Sequence, residues 1–193
     1  ILTAFARIEG RTVGLIANNC KSLGGALDAN GAMKASRFFN ICNVFKMPIV
    51  SLVDTPWFMV GPESEKQGAV NHITGLFIAG AKLEAPLVCI FLRKGYGLGA
   101  MAMSGGSFKI PRYTASWPTG EFGAMGIEGA VKLGFKKELE RIGDGLPRDN
   151  LFADLVDKMY DREKATEAAS FLEIDAVIDP SESRFIIARA LNN

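Results

Sequence analysis

Pro86-Leu87-Val88-Cys89-Ile90-Phe91-Leu92-Arg93-Lys94-Gly95-Tyr96-Gly97-Leu98-Gly99-Ala100-Met101-Ala102-Met103 is the stretch that decides the fold. Its first part, residues 86–92, is an unbroken apolar run, as expected for a strand buried on both faces of a parallel sheet. Glycines 95, 97 and 99 then permit sharp turns and close backbone approach. The Ala and Met residues that follow open a helix poor in large side chains. A helix start leaves its first N–H groups without intrahelical acceptors. The stretch therefore offers a corner of backbone donors suited to a phosphate or an oxyanion. It has no GxxxxGK[ST], and Gly95-x-Gly97-x-Gly99 is not GxGxxG. The same glycines equally suit a helix start packed tightly on a neighbour.

Residues 49–53 repeat the plan upstream, a short apolar run between Pro48 and Asp54-Thr55-Pro56. A helix is predicted over 31–46, with Ala35, Phe38, Cys42 and Phe45 at three- and four-residue steps. Another is predicted over 65–82. Residues 4–9 and 12–17 flank a Glu9-Gly10-Arg11 turn and read as a hairpin. Short strands are expected at 107–110, 115–117 and 176–178, and helices at 149–160 and 161–172. Asp179-Pro180-Ser181-Glu182 is a strong start for a last helix. Strands alternating with helices give an α/β fold with mainly parallel pairing. The two strand–loop–helix units, 49–82 and 86–106, resemble each other in plan.

Composition narrows the function. The 193 residues suit one domain, with 22 basic against 21 acidic side chains. A net charge of +1 gives no field for nucleic acid. Three cysteines without a CxxC pair and a single histidine, His72, argue against zinc and for a reducing compartment. No apolar run reaches the roughly 18 residues of a membrane span, and no signal peptide is seen. The chain starts at Ile1 rather than Met, so a fragment of a longer protein is expected. Glycine is the unusual item, with 21 residues.

A second candidate pocket is Asp54-Thr55-Pro56-Trp57-Phe58-Met59-Val60-Gly61-Pro62, an apolar aromatic loop after a buried strand. Trp57 and Phe58 could equally cap the core. His72 sits in mid-helix, with no Ser or Asp placed to make a triad. Glu121 reads as a loop-tying carboxylate rather than a base, and residues 132–141 as a solvated helix face. Met101, Met103 and Met125 suit adaptable packing. Backbone donors and an apolar loop, with few acid–base side chains, point to oxyanion or enolate stabilisation.

Several segments occur together in one order: Gly25-Ala26-Leu27-Asp28-Ala29-Asn30, Val53-Asp54-Thr55-Pro56, Arg93-Lys94-Gly95-Tyr96-Gly97, Trp117-Pro118-Thr119 and Met125-Gly126-Ile127-Glu128-Gly129-Ala130. In them the chain resembles the C-terminal half of the carboxyltransferase (β) subunit of biotin-dependent acyl-CoA carboxylases, of propionyl-CoA and acetyl-CoA type. The resemblance runs over nearly the whole chain and is firmest from Phe5 to Val131. It implies a crotonase-like superhelix of ββα units. It also implies an oxyanion hole on the amides of Leu98 and Gly99. Trp57, Phe58, Tyr96, Gly97, Ala100 and Met101 would surround biotin and substrate. Biotin would arrive on a carrier domain and acyl-CoA would be the substrate. No protein base would be needed. The implied partners are a biotin carboxyl carrier, a biotin carboxylase, the N-terminal carboxyltransferase half and further copies of the chain, in the cytoplasm or the mitochondrial matrix. The alternatives are a decarboxylase subunit, a non-catalytic assembly module and a crotonase-type hydratase or isomerase. Trp57 stands where the family usually has Gly, Gly97-Leu98-Gly99 where it often has Gly-Gly-Ala, and Gly75 where it often has Lys.

Overall fold

The computed structural model describes residues 1–192. The hairpin forms as expected from β1 (Leu2–Ile8) and β2 (Arg11–Ala17), paired antiparallel. Glu9 and Gly10 close it at φ 48° and 78°, the positive values that a two-residue type I′ turn requires. Helix α1 (Ala29–Val44) is capped by Asp28, whose carboxylate accepts the Gly31 N–H at 2.7 Å. Its apolar face, with Ala35, Phe39 and Cys42, lies on the sheet. The approach is close at Gly14 of β2, where a Cβ would sit 2.4 Å from Cys42 Sγ.

Strand β3 (Ile49–Thr55) pairs parallel with β2, and β4 (Leu87–Tyr96) parallel with β3. Both are buried on both faces, as their unbroken apolar runs require. One face packs under α1, α3 (Ala69–Ala81) and α4 (Gly97–Met103), through Phe91, Leu76 and Met103. The other packs Val50, Val88 and Ile90 against Ile187 and Leu191 of α9 (Ser183–Asn192). The last helix follows a 3-10 turn at Pro180–Glu182 with a complete Asp179/Glu182 capping box.

Four expectations need correction. The helix over 65–82 is two, α2 (Pro62–Lys66) and α3, broken where Gly68 turns left-handed at φ 70°. The strand at 86–92 runs on to Tyr96, because its far half acquires a partner of its own. Residues Leu87–Phe91 lie beside β3, and Val88–Phe91 also pair with β5 (Tyr113–Ser116). Lys94, Gly95 and Tyr96 pair with β6 (Glu121–Gly123), a strand too short to be read from pattern. Residues 107–110 form turns, not a strand. The stretch 132–141 is divided between α5 (Ile127–Gly134) and α6 (Lys136–Ile142), and the next pair of helices is α7 (Leu146–Arg162) and α8 (Ala165–Ser170). Strand β7 (Ala176–Val177) completes the order β1-β2-β3-β4-β5-β7, with β6 on β4.

β3 and β4 each turn a corner at their C-terminal ends. After β3 the chain bridges Phe58 to Leu27, with Leu27 N–H donating to Trp57 O at 3.1 Å and Met59 N–H to Leu27 O at 2.7 Å. After its own bend, β4 pairs with β6. The repeated corner is the ββα plan of a crotonase-like superhelix.

Candidate functional site

The β3 corner is tied by one carboxylate. Asp54 is buried and accepts the Lys94 N–H at 3.1 Å, Arg93 at 3.2 Å and Cys20 Sγ at 3.1 Å. Its own N–H donates to Asn18 Oδ1 at 3.1 Å, while Asn18 Nδ2 donates to Gly25 O at 3.0 Å. Lys94 Nζ reaches Gly24 O at 2.7 Å. Burial first, then the Asp54 hydrogen bond, push the Cys20 thiol up, so it stays an S–H donor. This cluster joins the loop after β2 to the ends of β3 and β4.

The β4 corner is different. Tyr96 caps α4 with no side-chain acceptor, so the first amides of the helix, including Leu98 and Gly99, have no intrahelical partner. Two loops press on this turn. A Cβ on Gly99 would lie 2.9 Å from the Trp57 carbonyl carbon, and one on Gly97 (φ 56°) would lie 2.7 Å from Ala124 O. The two sequence readings of these glycines therefore hold together: they admit neighbouring backbone, and they leave the turn's donors free.

Leu98 projects from this turn between two cavities. One, of about 490 Å³, is lined by Trp57, Phe58, Val60, Leu98 and Met125 and is largely apolar. The other, of about 580 Å³, shares Gly97, Leu98 and Ala124 and adds Met101, Phe122 and Glu163. Trp57 and Leu98 are 47% and 60% exposed, so their side chains shape open walls.

The structure thus brings Trp57, Phe58, Gly97 and Leu98 to one cavity and Met101 to its neighbour. Phe58 is also a core residue. Tyr96 and Ala100 line neither cavity. Ala100 is fully buried, and the Tyr96 hydroxyl donates to Glu121 at 2.5 Å from within a cluster with Ile127 and Val131. Gly99 is buried beneath Trp57. His72 lies within α3 and lines neither cavity. Glu163, on the wall of the second cavity, was not singled out by the sequence, since nothing local marks a Glu just past a helix end.

The description "Carboxyl transferase domain" matches residues 1–193. The chain belongs to the carboxyl transferase family. It is 35% identical over 192 residues to the methylmalonyl-CoA carboxyltransferase 12S subunit of Propionibacterium freudenreichii subsp. shermanii, covering 99% of this chain and 36% of that protein. It is also 35% identical over 191 residues to the methylmalonyl-CoA decarboxylase subunit alpha of Veillonella parvula, covering 99% and 35%. A solved single-chain, multi-domain long-chain acyl-CoA carboxylase superposes with a TM-score of 0.88 at 52% identity, over 97% of this chain and 18% of that one. This carboxyl transferase domain spans about a third of the length of these curated relatives. Among the described residues, no helix is long and apolar enough to cross a membrane, and no group of three or more His, Cys, Asp or Glu could hold a metal ion.

Proposed function

We propose that this chain is the C-terminal half of an acyl-CoA carboxylase carboxyltransferase, moving a carboxyl group from biotin to the α-carbon of a short acyl-CoA. The observation that carries the reading is the β4 corner, where Leu98, whose first-turn amide has no intrahelical partner, borders both cavities. A backbone donor at the junction of two compartments suits a reaction that brings two ligands together. Both cavities fall within the range of small-ligand pockets, and the apolar walls with backbone donors fit a ureido ring. Biotin, when bound, supplies the mobile carboxyl group.

The chain's own residues bind and stabilise. The Leu98 and Gly99 N–H groups donate to the oxygen on which negative charge develops, already oriented before reaction. Trp57 and Phe58 exclude water from one side, and Met101 borders the other. Tyr96, fixed to Glu121, and Ala100, fixed in the core, position the turn rather than touch a ligand. The partners on this reading are a biotin carboxyl carrier, a biotin carboxylase, the N-terminal carboxyltransferase half and further copies of the chain, in the cytoplasm. The similarity to a decarboxylase subunit supports a second reading, in which the same corner serves the reverse transfer.

The test joins the chain to its upstream half and measures biotin-dependent carboxyl transfer to several acyl-CoAs. Leu98→Pro removes the N–H at an early helical position where proline's φ is accepted; Leu98→Ala keeps it. The proposal expects a loss of about 100-fold or more for the first and a small effect for the second. Equal activity in both would refute the oxyanion assignment.

A further inference from the structure

Glu163 follows α7 and is held by its backbone. Its carbonyl accepts the Phe122 N–H at 2.7 Å, and its N–H donates to Tyr160 O at 3.1 Å. The side chain lies over Gly123 of β6, where a Cβ would meet the carboxyl atoms at 2.6–2.7 Å. One oxygen, Oε2, is buried without a hydrogen-bond partner. An ionised oxygen in that state is costly. Glu121 is the neighbouring carboxylate, already supplied with a donor by Tyr96. Two adjacent carboxyls resist ionising together. Burial, and then the charge of Glu121, push the Glu163 carboxyl up to about 7.

Other charged groups are placed around it. Arg162 and Lys164 flank it in sequence, and Lys164 is paired with Asp161 at 2.5 Å. Glu167 and Glu173 lie on the same cavity wall. Tyr160 borders Glu121. Burial and the charge of Glu121 favour the neutral form of Glu163.

We propose that Glu163 acts as a neutral carboxylic acid, donating a hydrogen bond into the cavity it shares with Gly97 and Leu98. Its acceptor is the same negatively charged oxygen that the Leu98 amide serves. This rests on the carboxyl-transfer reading above. An ionised Glu163 beside that oxygen repels it, while a neutral one adds a donor, as a carboxylic acid kept protonated by an apolar site can do. The proton stays on Glu163 throughout, and no bond to it forms or breaks.

The test uses the full-length subunit containing this chain, as wild type, Glu163→Gln and Glu163→Ala. Transfer is measured from about pH 6 to about pH 9, and the Glu163 carboxyl is titrated separately by ¹³C NMR. The NMR midpoint is expected at about 7, against an ordinary 4.5. Wild-type kcat falls about tenfold per pH unit above that midpoint, with KM for acyl-CoA nearly unchanged. Glu163→Gln, which keeps a donor, stays active with a flat profile. Glu163→Ala loses about 10–100-fold at low pH and is also flat. An ordinary midpoint, a Gln variant that follows the wild-type profile, or an Ala variant as active as wild type each overturns the proposal. If Leu98→Pro abolishes transfer while Glu163→Ala does not alter it, the Glu163 role fails alone. If the wild-type subunit shows no biotin-dependent transfer, the carboxyl-transfer reading fails and this proposal with it.

Discussion

Asp54 and Glu163 are two carboxyls set at successive corners of the same superhelix, and they live under opposite rules. Asp54 has partners on every side: a backbone amide, a guanidinium, a thiol and a nearby ammonium. Glu163 has a buried oxygen with none. The first satisfies its hydrogen-bonding capacity and locks three chain segments together. The second leaves capacity unspent beside a cavity and beside amides that are also unspent. Asp54 is saturated as a scaffold carboxylate should be, whereas the unsatisfied oxygen of Glu163 belongs to a side chain on a cavity wall.

The contrast can be broken first at two glycines. At the Asp54 corner, Gly25 has φ 94°, and a Cβ there would lie 2.3 Å from the Asp54 carbonyl oxygen. Gly25→Ala combines a strained backbone with a clash against backbone that cannot yield, and is expected to cost about 3 kcal/mol or more in chemical denaturation. Gly123→Ala meets only the movable end of Glu163, so it should cost under about 1 kcal/mol while displacing that carboxyl. Equal losses would erase the distinction between a rigid corner and a yielding one.

The next effect in size is Asp54→Ala. It strands the Lys94 amide and frees Arg93, and should destabilise by about 2 kcal/mol, read as a shift in the urea midpoint. Its pH dependence near neutrality should match the wild type, because Glu163 is untouched.

A further effect is a stability signature of Glu163 itself. Its folded-state pKa lies above the unfolded value, so the folded state holds the proton more tightly. Stability therefore falls as pH rises from 4.5 through about 7. Glu163→Gln removes that loss. Its Tm should exceed wild type at pH 8, with the gap closing at acid pH. A gap that widens toward acid would reverse the sign and the argument.

Much of the fold was legible because burial writes itself into short patterns. The unbroken runs of β3 and β4, the Glu9-Gly10 turn and the Asp179 capping box are local signals with one physical meaning each. The failures were cooperative. The sequence pattern of residues 93–96 looks like a loop, yet β6 lies alongside and makes it strand. Gly68 broke a helix whose apolar spacing continued across it, because a left-handed residue stops helical hydrogen bonding whatever its neighbours prefer. For the candidate site, loop chemistry and family resemblance singled out Trp57, Phe58 and Leu98, which line one cavity. Glu163 was not singled out, since its meaning comes from Gly123 and Glu121, both about forty residues away.

The central claim is that the Leu98 amide acts on the reacting oxygen. An amide-to-ester replacement of the Leu98 N–H deletes one donor and leaves side chain and backbone shape in place. Biotin-dependent carboxyl transfer by the full-length subunit should then lose about 100-fold in kcat with little change in KM for acyl-CoA. Unchanged kcat with an intact fold would contradict the account.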